Sequence, residues 1–302
     1  MAQPQLTPRF TPSARVEDIP RGFRLSIPSG FADSYRLAQL DNYAQLSRSK
    51  FPLRFPLSLS LSARTSSDSI AGTWGFGLWN DPFGLSLGFG GNPFRLPTLP
   101  NAVWFFGASQ ENYLSFKDSR PERSRRLLAA QSKGASSANG ATNAPSSAQR
   151  EIAANGFLAQ TFRSPKFHPW LILAGLALPF SRKVARRLLG RVIADDGVQL
   201  WNEGARSRNI RQQAVGLQNQ SHSVDPTQWH RYRLDWSLKR VSFEVDEVQV
   251  FESAVSPHPP LGLVIWIDNQ YAAFTPEGRL AFGVLQNEAA WLEVMDIKIS
   301  PE

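Results

Sequence analysis

Three carboxylates stand where apolar segments give way to polar residues. Asp81 closes Trp79-Asn80-Asp81, Glu111 sits in Ser109-Gln110-Glu111-Asn112-Tyr113, and Asp268 follows Trp266-Ile267 and precedes Asn269-Gln270-Tyr271. Carboxyl groups brought within hydrogen-bonding reach of a substrate can exchange protons as general acid and base. On an enzymatic reading Asp81, Glu111 and Asp268 are the acid/base groups, and the substrate is apolar. Aromatic faces beside amides and carboxylates also hold sugar rings and other amphipathic molecules without any reaction. Trp79, Asn80, Trp104, Phe106, Trp266, Asp268, Asn269, Gln270 and Tyr271 are the residues expected to line such a binding site. A plainer reading stays open beside both: Trp74, Trp104 and Trp236 fill the core, and the Asn and Asp residues turn the chain.

Other chemistries find little support. The chain has no cysteine, which excludes disulfides, thiolate metal sites and a cysteine nucleophile. Its four histidines (His168, His222, His230 and His258) lack the close spacing of a zinc helix, so neither metal nor cofactor is expected. His230 has no nucleophile near it in sequence and is expected to be structural. Gly88-Phe89-Gly90-Gly91 lies between strand-like segments with no helix after it, unlike a phosphate loop. The formal charge of +8 is unevenly placed. Residues 117–191 hold fourteen Lys and Arg against three acids, leaving 19 bases and 22 acids elsewhere. This argues against a nucleic-acid-binding globule, whereas a local basic segment suits an anionic membrane surface. Met1 to Pro20 carries no apolar core after a basic start, so a cytoplasmic, membrane-associated location is the expectation.

The elements that must position these groups read as strands. Leu57 to Ala63 alternates Leu and Ser with period two, the mark of a half-buried strand. Thr73–Trp79, Ala102–Ser109, Phe157–Arg163, Tyr232–Trp236, Val241–Val245, Val248–Phe251, Leu261–Ile267, Leu280–Leu285 and Leu292–Ile299 follow, separated by turn residues. Many short strands at such spacing predict a sandwich or barrel. The chain divides into residues 1–117 and 200–302 as two parts of one sandwich, interrupted by 118–155 and 156–199. Residues 118–155 are rich in Ser, Ala, Asn and Gly, a composition that cannot offset the entropy of ordering, and they are expected to be a flexible insertion.

Residues 156–199 are expected to hold one strand and an apolar, basic helical piece. Trp170 to Leu178 is too short to span a bilayer, and Pro179 stops a continuous helix. In Ser181 to Ile193, Val184, Leu188, Leu189 and Val192 share one helical face amid five bases. Trp170, Leu171, Arg182, Lys183, Arg186 and Arg187 are the expected membrane contacts, on a helix lying in the interface.

Three segments resemble glycoside hydrolase family sixteen, the laminarinase, lichenase and agarase group. Trp229-His230-Arg231-Tyr232-Arg233-Leu234-Asp235-Trp236 looks like its His-x-Tyr-x-x-x-Trp strand and is followed by a hairpin over Val241 to Val250. Glu247 replaces the glycine common at that tip, predicting a longer turn or one of another type. Gly72 to Trp79 is similar to the strand entering the family's active site, and Trp291 to Ile299 to its closing strand. The resemblance implies an all-β, concanavalin A-like jelly roll. It also implies a Glu-x-Asp-x-x-Glu strand, because retaining hydrolysis needs two carboxyl groups about 5–5.5 Å apart. Here that stretch reads Asn101-Ala102-Val103-Trp104-Phe105-Phe106-Gly107-Ala108-Ser109, without an acid. The expected function is therefore non-hydrolytic binding of carbohydrate, glycolipid or another amphipathic ligand. The alternative is an enzyme (cyclase, isomerase or divergent hydrolase) using the same cleft.

Overall fold

The computed structural model describes residues 5–82, 98–116, 155–165, 180–201 and 224–301. The first sheet has seven antiparallel strands, in spatial order β1 (Thr7–Phe10), β4 (Leu37–Asp41), β13 (Gly262–Asp268), β6 (Thr73–Trp79), β7 (Ala102–Ala108), β8 (Gly156–Arg163) and β9 (Ala194–Trp201). The second runs β12 (Val248–Ser253), β11 (Val241–Val245), β10 (His230–Trp236), β5 (Leu57–Thr65), β16 (Ala290–Ser300), β3 (Gly22–Ile27) and β2 (Arg15–Ile19). The chain crosses repeatedly between the sheets, so sequence neighbours such as β4, β5 and β6 lie in alternate layers. This is the expected jelly-roll sandwich. A separate hairpin joins β14 (Gln270–Phe274) to β15 (Leu280–Val284).

Pattern and burial agree strand by strand. In β5 the residues Leu57, Leu59, Leu61 and Ala63 enter the core, while Ser60 and Ser62 are only half-buried on the other face. The strands β6, β7 and β13 are buried at every position, which is why their sequences run apolar without alternation. The main core lies between the sheets, with Trp74, Phe76 and Phe105 from the first meeting Tyr232, Trp236 and Phe243 from the second. A second apolar cluster, including Trp79, Trp104, Phe106 and Trp266, lies apart from it.

Two expectations change here. The hairpin between β11 and β12 is a two-residue turn despite Glu247: Asp246 and Glu247 both take positive φ, 50° and 66°, as a type I′ turn requires. The Asp246 carboxylate anchors it, accepting from the Arg231 amide (2.8 Å) and lying 2.6 Å from His230 Nδ1. His230 thus has a structural place. Secondly, β9 crosses residues 199 and 200, so residues 156–199 give two strands to the first sheet.

The helix α1 (Arg182–Leu189) starts where Ser181 caps it, the serine Oγ accepting from the Val184 amide. The expected apolar stripe is divided: Leu189 packs against the second apolar cluster and Val192 is buried. Val184 is 47% exposed, while Ala185 and Arg186 are buried. Arg186 donates to the carbonyls of Phe274 (2.7 Å) and Ser115 (2.8 Å), and its guanidinium lies 5.7 Å from the Tyr113 ring centroid. These acceptors fix a charge inside, and Arg186 is withdrawn from the expected membrane contacts. Trp170 and Leu171 lie outside the described residues. Among the described residues no helix is long and apolar enough to cross a membrane.

Candidate functional site

Register determines which side chains share the outer face of the first sheet. Gly75 pairs with Trp266 on one side and Phe106 on the other, and Gly77 pairs with Val264 and Trp104. Since alternate residues face alternate sides, Thr73, Gly75, Gly77 and Trp79 of β6 share a row, with Trp266 and Asp268 beside them on β13. A Cβ at Gly75 would come within 2.9 Å of the Trp266 ring, and one at Gly77 within 2.6 Å of Trp104. Gly75 therefore leaves room for the Trp266 ring, whereas at Gly77 the close approach is by the backbone and Cβ of Trp104 on β7.

The rings form one floor. Trp79 and Trp266 stack at 5.9 Å and 7°, and Trp104 lies 6.0 Å from the first and 5.7 Å from the second. Phe106 stacks on Trp104 at 5.3 Å. Tyr35, Leu46, Leu99, Leu114, Phe116 and Leu189 pack against it from outside, and all four rings are buried. Every indole N–H is used within the same face. Trp266 donates to Thr73 Oγ1 (2.9 Å), Trp79 to the Tyr43 hydroxyl, and Trp104 to Gln160 Oε1 (3.5 Å). No indole N–H of the floor is left for a ligand, and the ring faces are covered by the side chains packed on them.

The polar end of the floor is Asp268. It is buried, and its Oδ1 accepts from the Thr73 hydroxyl (2.7 Å) and the amides of Thr73 and Gln270 (3.2 Å each). Its Oδ2 accepts from Tyr35 (3.1 Å). Burial pushes its pKa up to about 6, although these hydrogen bonds hold it back. Tyr35 is raised by burial and by the neighbouring carboxylate.

The other expected residues fall in different places. Asn80 is a staple of the chain, its Nδ2 donating to Leu99 O (2.9 Å) and its Oδ1 accepting from the Asn101 amide (3.0 Å). Asn269 is spent on structure, accepting from the Arg36 amide and donating to the carbonyls of Ser34 and Leu285. Gln270 and Tyr271 belong to β14, outside the aromatic cluster. Asp81 lies beyond the far end of β6 from Thr73 and Asp268, about 20 Å away at the rise of a strand. Glu111 is exposed and lines a cavity with Trp74, on the opposite face of β6 from Trp79. Asp81 and Asp268 therefore cannot serve one bond as an acid/base pair.

The site contains residues that the sequence reading passed over. Gln39, Asp41 and Tyr43 form a buried polar row: Gln39 Nε2 donates to Asp41 Oδ2 (2.8 Å), and Asp41 Oδ1 accepts from the Tyr43 amide (3.1 Å). The signal was their alternation within Leu37 to Tyr43. Gln160 donates to Leu114 O (2.8 Å), tying β8 to the wall of the site.

No protein-family model matches this chain, and no curated protein matches it. Among solved structures it is similar to an endo-β-1,4-glucuronan lyase from Trichoderma reesei, at 10% identity over 99% of this chain and 88% of that one, with a TM-score of 0.42. It is similar to a glycoside hydrolase family 16 endo-glucanase from Bacteroides ovatus at 8% identity, over 99% and 96%, with a TM-score of 0.43. A legume lectin-like domain from Entamoeba histolytica shares 9% identity, over 98% and 90%, with a TM-score of 0.41. At these values the likeness carries no residue, substrate or reaction over to this chain.

Proposed function

We propose that the outer face of the first sheet binds carbohydrate, glycolipid or another amphipathic ligand without hydrolysing it. The observation that supports this is an aromatic floor lying outside the core between the sheets. Filling the sandwich does not require it. With the indole N–H groups already paired, a ligand would meet the floor through π-faces and apolar edges, taking the place of the partly buried side chains now packed on them, and these suit the apolar side of a sugar ring or an alkyl chain. Asp268 and Tyr35 supply polar contacts at one end. Titration of the intact protein with alkyl glycosides and neutral oligosaccharides, followed by tryptophan fluorescence, tests the reading. Saturable changes that disappear in Trp266→Phe or Trp104→Phe support it; a response unaltered in both variants rejects it.

One observation favours the enzymatic alternative. A buried carboxyl group with a pKa of about 6, beside aromatic rings, can give and take a proton near neutrality. Turnover of an apolar ligand that Asp268→Asn abolishes while binding persists would favour catalysis over binding.

A membrane surface suits another part of the molecule. Of eight exposed large hydrophobic residues among those described, four (Phe180, Val184, Leu280 and Phe282) lie beside or on α1 and on β15. The two elements touch, since Gly278 in the β14–β15 turn packs against Lys183. Arg182, Lys183, Arg187 and Arg279 are exposed there, with Glu277 the opposing acid. Apolar side chains amid bases suit an anionic leaflet.

A further inference from the structure

We propose that the end of the sandwich where β6 begins and β7 ends is a second binding site, for a small hydroxylated cation of the amino-sugar or amino-alcohol class. A cavity of about 310 Å³ opens there, lined by Asp68, Ser69, Trp74, Glu111, Asn155 and Trp201 among others. It is separate from the aromatic floor: the Trp74 ring turns into the sandwich and stacks on Phe157 at 4.8 Å and 19°.

Three features define the ligand. Asp68 and Glu111 both line the cavity, no Lys, Arg or His lines it, and no ion pair engages either carboxylate among the described residues. Two uncompensated acids at one mouth favour a cation over a neutral molecule or an anion. Trp201 Nε1 is buried and has no hydrogen-bond partner. A buried donor left unsatisfied costs about 1–3 kcal/mol, so a ligand acceptor reaching it is favoured. A hydroxyl can accept there and donate elsewhere, and Ser69 and Asn155 supply further polar groups. Ile70, Ala71 and the small exposed part of the Trp74–Phe157 stack give the cavity an apolar wall, which suits the C–H face of a ring. Three or more grouped metal-ligating side chains do not occur among the described residues, so a bare metal ion has too few partners here.

Calorimetric titration of the intact protein with glucosamine, N-acetylglucosamine and glucose tests the proposal. Glucosamine should bind, and the two neutral sugars should bind at least about tenfold more weakly, with the difference shrinking as salt screens the carboxylates. Asp68→Asn and Glu111→Gln, both at the rim, should each weaken glucosamine by about tenfold. Trp201→Phe, which keeps the ring and removes the N–H, should weaken all three sugars together. Equal affinity for glucosamine and glucose would overturn the cationic assignment. Glucosamine binding untouched by both carboxylate variants, or absent at millimolar concentration, would overturn the site.

Discussion

The Trp79 and Trp266 indoles lie parallel at 5.9 Å, on strands β6 and β13, with Gly75 leaving room for the Trp266 ring. Trp266 also begins a chain of hydrogen bonds, its N–H donating to Thr73 Oγ1, whose hydroxyl in turn donates to Asp268. The aromatic floor and the buried carboxylate therefore form one unit. Trp266→Ala should cost about 3–5 kcal/mol, the usual loss for a large buried ring. Trp266→Phe should cost less, keeping the stack but leaving Thr73 without its donor. Urea unfolding measures both, and equal losses would show that a ring kept without its N–H contributes nothing.

Asp268 should make the protein less stable as pH rises. Its folded-state pKa of about 6 lies above the ordinary carboxylate value, so the folded protein binds more protons than the unfolded chain between about pH 4 and 6. Stability assigned to this group is greatest below that window and falls through it, by roughly 3 kcal/mol for a shift of about two units. Glu293 acts in the opposite sense. Burial raises its pKa, but hydrogen bonds from Arg64 and Arg24 outweigh this and hold it below the usual range. The comparison must therefore be made against Asp268→Asn. The variant should gain on the wild type as pH increases from 4 to 7, and parallel stability profiles would refute the assignment.

Gly77→Ala should destabilise the floor while leaving the strand able to form. The new methyl would meet the Trp104 Cα and Cβ at 2.6 Å, and both lie on a strand held by pairing on two sides. Overpacking of this kind costs about 1–3 kcal/mol. A lowered Tm with changed tryptophan fluorescence is expected. An unchanged Tm would mean that β6 and β7 separate more easily than their pairing implies.

Much of the sandwich was legible because its signals are local. Period-two alternation marks β5, and aromatic runs bounded by Gly and Asn mark β6 and β7. The edge strands β1 and β2 were not, since Thr7–Phe10 and Arg15–Ile19 are largely exposed and carry no apolar row. The site was half legible. Trp79, Trp104 and Trp266 converge because register brings together strands distant in sequence, and their aromatic character announced them. Asn80 and Asn269 looked like ligand contacts but close loops, since an amide suited to a sugar suits a backbone carbonyl equally well. Arg186 misled for a related reason: helical periodicity counts an arginine as solvent-facing, whereas the carbonyls of Ser115 and Phe274 draw it in.

That buried arginine gives the membrane reading a sharp test. Arg182, Lys183 and Arg187 are exposed on α1, whereas Arg186 is engaged inside. If the corner of α1 and β15 docks on an anionic leaflet, each exposed base should contribute on the order of 1 kcal/mol, screened by salt. Replacing Arg182, Lys183 and Arg187 together by Gln should then weaken flotation with phosphatidylserine vesicles by about a hundredfold, on the scale of 1.4 kcal/mol per tenfold. Phe180→Ser with Val184→Ser should weaken it as well, because the exposed apolar side chains enter the boundary between headgroups and acyl chains. Arg186→Gln should behave differently, lowering Tm through the lost charged hydrogen bonds to Ser115 and Phe274. Where it remains folded, its vesicle affinity should match the wild type. Vesicle binding that survives both the triple and the apolar replacements would sink the membrane reading, and so would equal binding to neutral phosphatidylcholine vesicles.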